Sequence, residues 1–241
     1  MQIDINKLTP MMKQYLEVKN RYKDCILFFR LGDFYEMFFE DALVASKALE
    51  IALTGKACGL EERAPMCGVP FHSANSYISK LVENGYKVAI GEQMEDPSTA
   101  KGIVRREVIR VITPGTVLDG NLLENKKNNY LLSLYKDGTN IGLTYVDIST
   151  GETNATCLNE DKVIEEIAKI HPTEIIINDL DFIEKLRDIA TVSNIYINES
   201  FSDNYLDINI LKEYFPDVYL QKLKFDDKGL IKSSLSILLN Y

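Results

Sequence analysis

The stretch LGDFYEMFFEDA, residues 31–42, decides how the first half of the chain is read. It follows the apolar run CILFFRLG (25–32), which reads as a buried strand ending at Gly32. Asp33 suits a helix N-cap, and Glu36, three residues on, suits the reciprocal position of a capping box. Phe34, Phe38, Ala42, Ala45 and Leu49 fall on one stripe at close to 3.6-residue spacing. The spacing therefore predicts a helix from Asp33 onward, with Phe34 at its first position, a core residue, and Glu36 as its cap. The same geometry admits a second use. An aromatic at a loop–helix junction can project outward, beside helix N–H groups that suit phosphate. There it can wedge between base pairs from the minor groove. A carboxylate two residues on is repelled by phosphates, so its role would be to discriminate at a base edge rather than to add affinity.

Working outward, Thr9 and Pro10 open a first helix as N-cap and first helical residue, with Met11, Tyr15 and Val18 at helical spacing. IALTGKACG reads as a short strand running into a loop. RAPMCGVPFHSAN, with two prolines and a glycine, reads as an ordered irregular loop. Ser76–Asn84 reads as a helix stopped by Gly85, and YKVAIGEQM and REVIRVITPG read as strands. TVLDGNLLENKKNN (116–129) is polar and marks a boundary. Beyond it, YLLSLYKDG, TNIGLTYVDIST and GETNATCL form a three-strand meander turning at Asp137–Gly138 and Thr150–Gly151. Helices near 160–170, 180–190 and 205–214 then alternate with strands EIIIN and NIYIN, and an amphipathic helix covers KGLIKSSLSILLNY. The pattern predicts an α/β chain of two domains: residues 1–115 mixed α/β, a linker at 116–128, and residues 129–241 with a mixed sheet covered by helices.

The 241 residues are 46% hydrophobic and 26% charged, the composition of a soluble globular protein. No apolar run is long enough to span a membrane and no signal-peptide core opens the chain, which predicts a cytoplasmic protein with no membrane partner. The four cysteines, Cys25, Cys58, Cys67 and Cys157, form no CxxC pair and read as reduced thiols. Cys58, Cys67 and His72 lack the tight spacing of a zinc site. The net charge of −9 argues against a general coat of nucleic acid, but residues 1–120 carry only −1 and residues 121–241 carry −8. The first half also holds a basic cluster, Lys101, Arg105, Arg106 and Arg110, readable as a phosphate-facing patch or a solvated strand edge.

Enzyme signatures fail. Thr54–Gly55–Lys56 lacks the rest of a phosphate loop, and neither GxSxG nor HExxH occurs. His171, before Pro172, reads as a helix C-cap. Asp147, Glu152 and Asp179 could hold Mg²⁺ for nuclease chemistry, or could order a turn and lie in solvent. A metal-dependent nuclease and a pure protein-interaction module are thus the rivals of a DNA-contacting reading.

LTPMMKQYLEVKNRY, FFRLGDFYEMFFEDA, APMCGVPFH and GEQMEDPSTAKGIVRREVIRVITPGT, in this order, closely resemble the N-terminal part of the bacterial MutS family of DNA mismatch-repair recognition proteins. YVDISTGE and the elements after it resemble, more weakly, that family's connector domain. The resemblance covers nearly the whole chain. It implies a mismatch-recognition domain followed by an RNase H-like connector domain without nuclease function. It implies that Phe34 stacks on a mispaired or looped-out base and that Glu36 hydrogen-bonds to it, leaving Phe38, Ala42, Ala45 and Leu49 as the core stripe. It also places Lys56, Met66, Gly68 and Arg106 near DNA. The family often has arginine where Lys56 stands, and lysine lacks the bidentate fork. The implied partners are mismatched double-stranded DNA, MutL at the connector, and a second copy in a dimer of which one subunit inserts its phenylalanine. The family's core, lever, clamp and ATPase regions are expected after residue 241. ATP and Mg²⁺ thus belong to the full-length protein, a DNA-dependent ATPase, and this stretch by itself is expected to be no enzyme and to carry no cofactor.

Overall fold

The computed structural model describes residues 5–95, 102–116, 128–199, 201–216 and 229–241. Its internal contacts divide the chain into two units, Met1–Pro114 and Gly115–Tyr241. Most of the linker predicted at 116–128 lies outside the described residues, as does Lys101.

The first unit is a six-stranded mixed sheet in the order β3-β4-β2-β1-β5-β6. Its strands are β1 (Cys25–Leu31), β2 (Phe34–Phe38), β3 (Thr54–Lys56), β4 (Ala64–Pro70), β5 (Lys87–Gln93) and β6 (Arg106–Ile112). β1 runs parallel to β5, and the other neighbours are antiparallel. Helix α1 (Pro10–Arg21) covers one face, burying Met12, Tyr15 and Val18 against Leu27, Phe29, Phe38, Ala64 and Ala89. Helices α2 (Phe39–Leu49) and α3 (Ala74–Glu83) pack on β2, β4 and β5.

Three expectations for this unit are corrected. The helix expected from Asp33 begins only at Phe39. Residues 34–38 are a strand, and Gly32 and Asp33 are the two-residue loop of a hairpin in which Leu31 pairs with Phe34. Gly32 has φ +60, the loop position at which glycine enters such turns most readily. Phe34 is therefore not a helix-start residue, Asp33 caps nothing, and Glu36 is not in a capping box. Three aromatics in five residues favour a pleated surface, and over residues 34–37 the burial alternates, with Tyr35 and Met37 buried, Phe34 exposed and Glu36 partly buried. Second, the stretch expected to be an irregular loop contains β4. Its prolines are tolerated because Pro65 lies beyond the reach of β2 and Pro70 beyond that of β3, so each has a paired neighbour on one side only. Third, Thr9 precedes α1 without capping it. Its Oγ1 is buried and has no partner, while its backbone N–H donates to the Cys58 carbonyl at 2.8 Å.

The strand-to-helix corner at Phe38–Phe39 has no linker. Phe39 turns it with φ 52, a conformation that is strained for a bulky side chain. The corner is held from α1. The Tyr15 hydroxyl donates to Asp41 Oδ2 (2.9 Å) and accepts from the Phe38 N–H (3.3 Å). Asp41, buried, also accepts from the Leu27 N–H (3.0 Å) and pairs with Lys19 (2.8 Å).

The second unit has a five-stranded sheet, order β11-β10-β7-β8-β9, with β7 (Tyr130–Asp137), β8 (Asn140–Asp147), β9 (Thr153–Asn159), β10 (Glu174–Ile177) and β11 (Tyr196–Asn198). The meander β7-β8-β9 is antiparallel, whereas β10 runs parallel to both β7 and β11. This is the mixed, helix-covered sheet expected of an RNase H-like domain. α4 (Glu160–Ile170) and α5 (Leu180–Ser193) cover one face around Leu132, Leu134, Ile175 and Ile177. Helix α7 (Leu230–Asn240) covers the other, close enough that a Cβ on Gly142 would lie 2.2 Å from the Leu230 carbonyl oxygen. The helix expected at 205–214 is instead a 3₁₀ turn, Asp203–Leu206, and a five-residue helix, α6 (Ile210–Tyr214). His171 ends α4 with φ 51, as a C-cap.

Candidate functional site

The sheet register brings all six predicted site residues onto one face of the first unit, five of them along β2, β3 and β4 and the sixth, Arg106, on β6. Glu36 pairs across with Gly68 on β4 and Phe34 with Pro70, while Phe38 pairs with Met66 and Lys56 with Ala64. Because side chains alternate along a strand, Phe34, Glu36, Gly68, Met66 and Lys56 share the face that carries Phe29 and Phe38. α1 covers Phe29, Phe38 and Ala64; Phe34, further along the same face, is 46% exposed. Phe34 and Glu36 stand about 7 Å apart, two strand residues. This presentation from a strand replaces the helix N-terminus expected from the spacing.

Glu36 and Lys56 form an ion pair, Oε2 to Nζ 2.5 Å, across β4. Gly68 makes room for it, since a Cβ there would stand 3.2 Å from the Tyr35 carbonyl oxygen and 3.4 Å from Glu36 Cγ. Half-buried Met66 lies beside Thr54 and Phe38.

Arg106 is placed differently. It is buried, and its guanidinium donates to the Arg30 carbonyl (2.6 Å), Gln14 Oε1 (3.1 Å) and the Val104 carbonyl (2.8 Å), over the Phe29 ring. Burial pulls its pKa down. It ties β6 to β1 and α1, and within the basic cluster the neighbouring Arg105 pairs with Glu107 at 3.1 Å. The cluster thus splits between an inward and an outward arginine.

The hairpin tip carries contacts that the sequence reading missed. Arg30 donates from Nε to the Gly32 carbonyl (2.5 Å), stacks on Phe71 and lies 3.7 Å from Glu92. The Phe71 N–H donates to the Asp33 carbonyl at 2.9 Å. On the opposite face from Phe34, the Tyr35 hydroxyl donates to the same Glu92, and its pKa is pushed up to about 12, chiefly by burial. The one available signal is a single arginine, Arg30, in an otherwise apolar strand run, two residues before Gly32.

The carboxylates of the nuclease reading are engaged elsewhere. Asp147, buried, accepts from the Ser149 N–H (2.9 Å) and hydroxyl (2.7 Å), bonds that hold its pKa low. Asp179 caps α5 through the Phe182 N–H (2.9 Å) and pairs with Lys136 at 3.3 Å. Cys58 lies in the α1-side core and Cys67 points to the Ala42 carbonyl of α2, so the two do not converge. Among the described residues no group of three His, Cys, Asp or Glu side chains is placed to hold a metal ion, and no helix is long and apolar enough to cross a membrane.

These two α/β units are what known proteins match. Residues 9–121 match MutS domain I and residues 129–241 match MutS domain II. The chain belongs to the MutS family. It is 55% identical over 228 residues to the DNA mismatch repair protein MutS of Acetivibrio thermocellus, covering 91% of this chain and 26% of that protein. It is 52% identical over 252 residues to the MutS of Alkaliphilus oremlandii, covering 98% and 28%. It is 55% identical over 219 residues to the MutS of Clostridium botulinum strain 657, covering 90% and 21%. The chain spans about a quarter of the length of these curated relatives.

Proposed function

We propose that the first unit recognises mismatched or looped-out base pairs in duplex DNA and so starts mismatch repair. Phe34 inserts at the mispair and Glu36 accepts a hydrogen bond from the displaced base. The observation that carries this reading is the placement of Phe34 and Glu36 two residues apart on one sheet face, with Phe34 standing out beyond the end of the α1-covered core. The physical basis is differential deformation. A mispaired step costs less to unstack and kink than a paired one, so a wedge turns lost pairing into affinity without reading a fixed sequence. Met66 and Gly68 form the floor beside the wedge, and Arg106 acts indirectly, from the α1-covered part of the same face, by fixing β6 against β1. We further propose, as the family resemblance implies, that the full-length protein carries an ATPase using ATP and Mg²⁺, works as a dimer in the cytoplasm, and meets MutL through the acidic second unit; the relatives, about four times as long as this chain, leave room for such further regions.

The test is Phe34→Ala in the full-length protein, titrated by fluorescence anisotropy against G·T-mispaired and fully paired duplexes. Base–aromatic stacking is worth about 1–3 kcal/mol per base, so mismatch preference should fall by about 5- to 150-fold with the fold intact. A variant that keeps its full preference removes Phe34 from the site.

A further inference from the structure

We infer that Lys56 is a releasable counter-ion for Glu36, a specificity-determining residue that binds backbone phosphate only when Glu36 has found a mispaired base. This rests on the role proposed above for Phe34 and Glu36. Lys56 comes from the short edge strand β3 and reaches over β4 to Glu36 on β2. On the face it crosses, β4 presents Met66 between two small residues: Ala64 lies opposite Lys56, and Gly68 lies opposite Glu36. The Lys56 side chain is 33% exposed and that of Glu36 is 16% exposed. Glu36 is the acidic partner of Lys56 and its hydrogen-bond acceptor among the described residues.

A bare carboxylate on a DNA-facing surface is repelled by every phosphate, mispaired or not. Paired with Lys56 it approaches the duplex as a neutral unit. On paired DNA no base edge is displaced toward Glu36, so the ion pair persists and the ammonium stays off the backbone. At a mispair the carboxylate takes a base N–H as its partner. The ammonium, a compact charge on a flexible four-carbon stem, is then free to turn to a phosphate. One exchange of partners thus adds a phosphate contact to the mispaired complex alone.

Counterion release makes this visible, because each neutralised phosphate contributes about 0.9 to the slope of log K against log salt on B-DNA. The full-length protein is titrated by anisotropy against G·T and paired duplexes over a salt series, as wild type, Lys56→Met, Lys56→Arg, Glu36→Gln and the Glu36→Gln/Lys56→Met double variant. Lys56→Met should lower the slope magnitude by about 0.9 on the mispaired duplex and by less on the paired one, where only the repulsion of the uncovered Glu36 is felt. Glu36→Gln should raise it by about 0.9 on the paired duplex, but only while Lys56 is present. Lys56→Arg should behave as wild type. An equal loss on both duplexes makes Lys56 a permanent phosphate contact and overturns the inference, and unchanged slopes on both make the pair a closed structural bridge and overturn it as well. Failure of the underlying reading shows separately, as a Phe34→Ala protein that keeps its mismatch preference.

Discussion

The guanidinium of Arg30 lies 3.7 Å from the centre of the Phe71 ring while its Nε donates to the carbonyl of Gly32. With the Phe71 N–H on the Asp33 carbonyl, both carbonyls of the hairpin loop are tied down from behind. The loop that carries Phe34 is therefore pre-organised, which on the function proposed above would lower the ordering cost of insertion. Arg30→Met should cost about 1 kcal/mol of stability, the scale of a partly exposed cation–π contact. It should also reduce mismatch preference severalfold while leaving affinity for paired duplex nearly unchanged. Thermal unfolding and paired anisotropy titrations check the two halves, and unchanged discrimination would make Arg30 purely structural.

The corner at Phe39 makes a second prediction. Tyr15→Phe removes the hydroxyl that serves both Asp41 and the Phe38 N–H, leaving buried polar groups short of a partner. The expected loss is about 1–3 kcal/mol, read as a lower urea midpoint for the first unit. Asp41→Ala should cost more, because the partly buried Lys19 loses its counter-charge and the Leu27 N–H its carboxylate acceptor together.

Alkaline pH should destabilise the first unit. Burial pushes the Cys25 thiol up to about 12 and the Cys67 thiol up to about 11, and holds the Tyr15 phenol well above its ordinary value. A raised pKa means that the folded state keeps a proton the unfolded chain gives up. The stabilisation is whole below the unfolded values, near 9 for the thiols and 10 for the phenol. It is lost as pH climbs toward the folded ones, by about 1.4 kcal/mol per pH unit for each group. Denaturation midpoints at pH 8, 9 and 10 should fall progressively, and Cys67→Ala should flatten the fall. A flat profile for the parent protein contradicts the buried-thiol contribution.

Gly142→Ala should destabilise the second unit by several kcal/mol, since the new Cβ would meet the backbone of α7 rather than a movable side chain. Binding to mispaired DNA should change little in protein that remains folded. A neutral effect on unfolding would show that α7 can shift away from β8.

How far the sequence could be read depended on how local each signal was. The second unit's meander was legible because Asp137–Gly138 and Thr150–Gly151 mark its turns within the chain itself. Phe34 and Phe38 misled because residues four apart lie on the same side of both a helix and a strand, so their spacing could not separate the two. Tyr35 and Met37, buried between them, carried the alternation that does. β4 was hidden by its prolines, whose tolerance depends on which strands flank each one. The Glu36–Lys56 pair was illegible for the same reason, since the two are joined only through β4. Arg106 could be recognised as important, yet nothing local distinguishes an arginine facing a phosphate from one facing Gln14 and a carbonyl. The direction of its side chain is a property of the packed sheet.

β2 lies inside its sheet, hydrogen-bonded to β1 on one side and β4 on the other. A probe mounted there has little compliance: to retract Phe34 by even a fraction of a residue would shear both neighbouring ladders. If such a probe meets a stack of bases, as proposed, the softer body gives way, and that body is the duplex. What would then be gauged at each step is the local stiffness of the DNA, against a nearly unyielding reference.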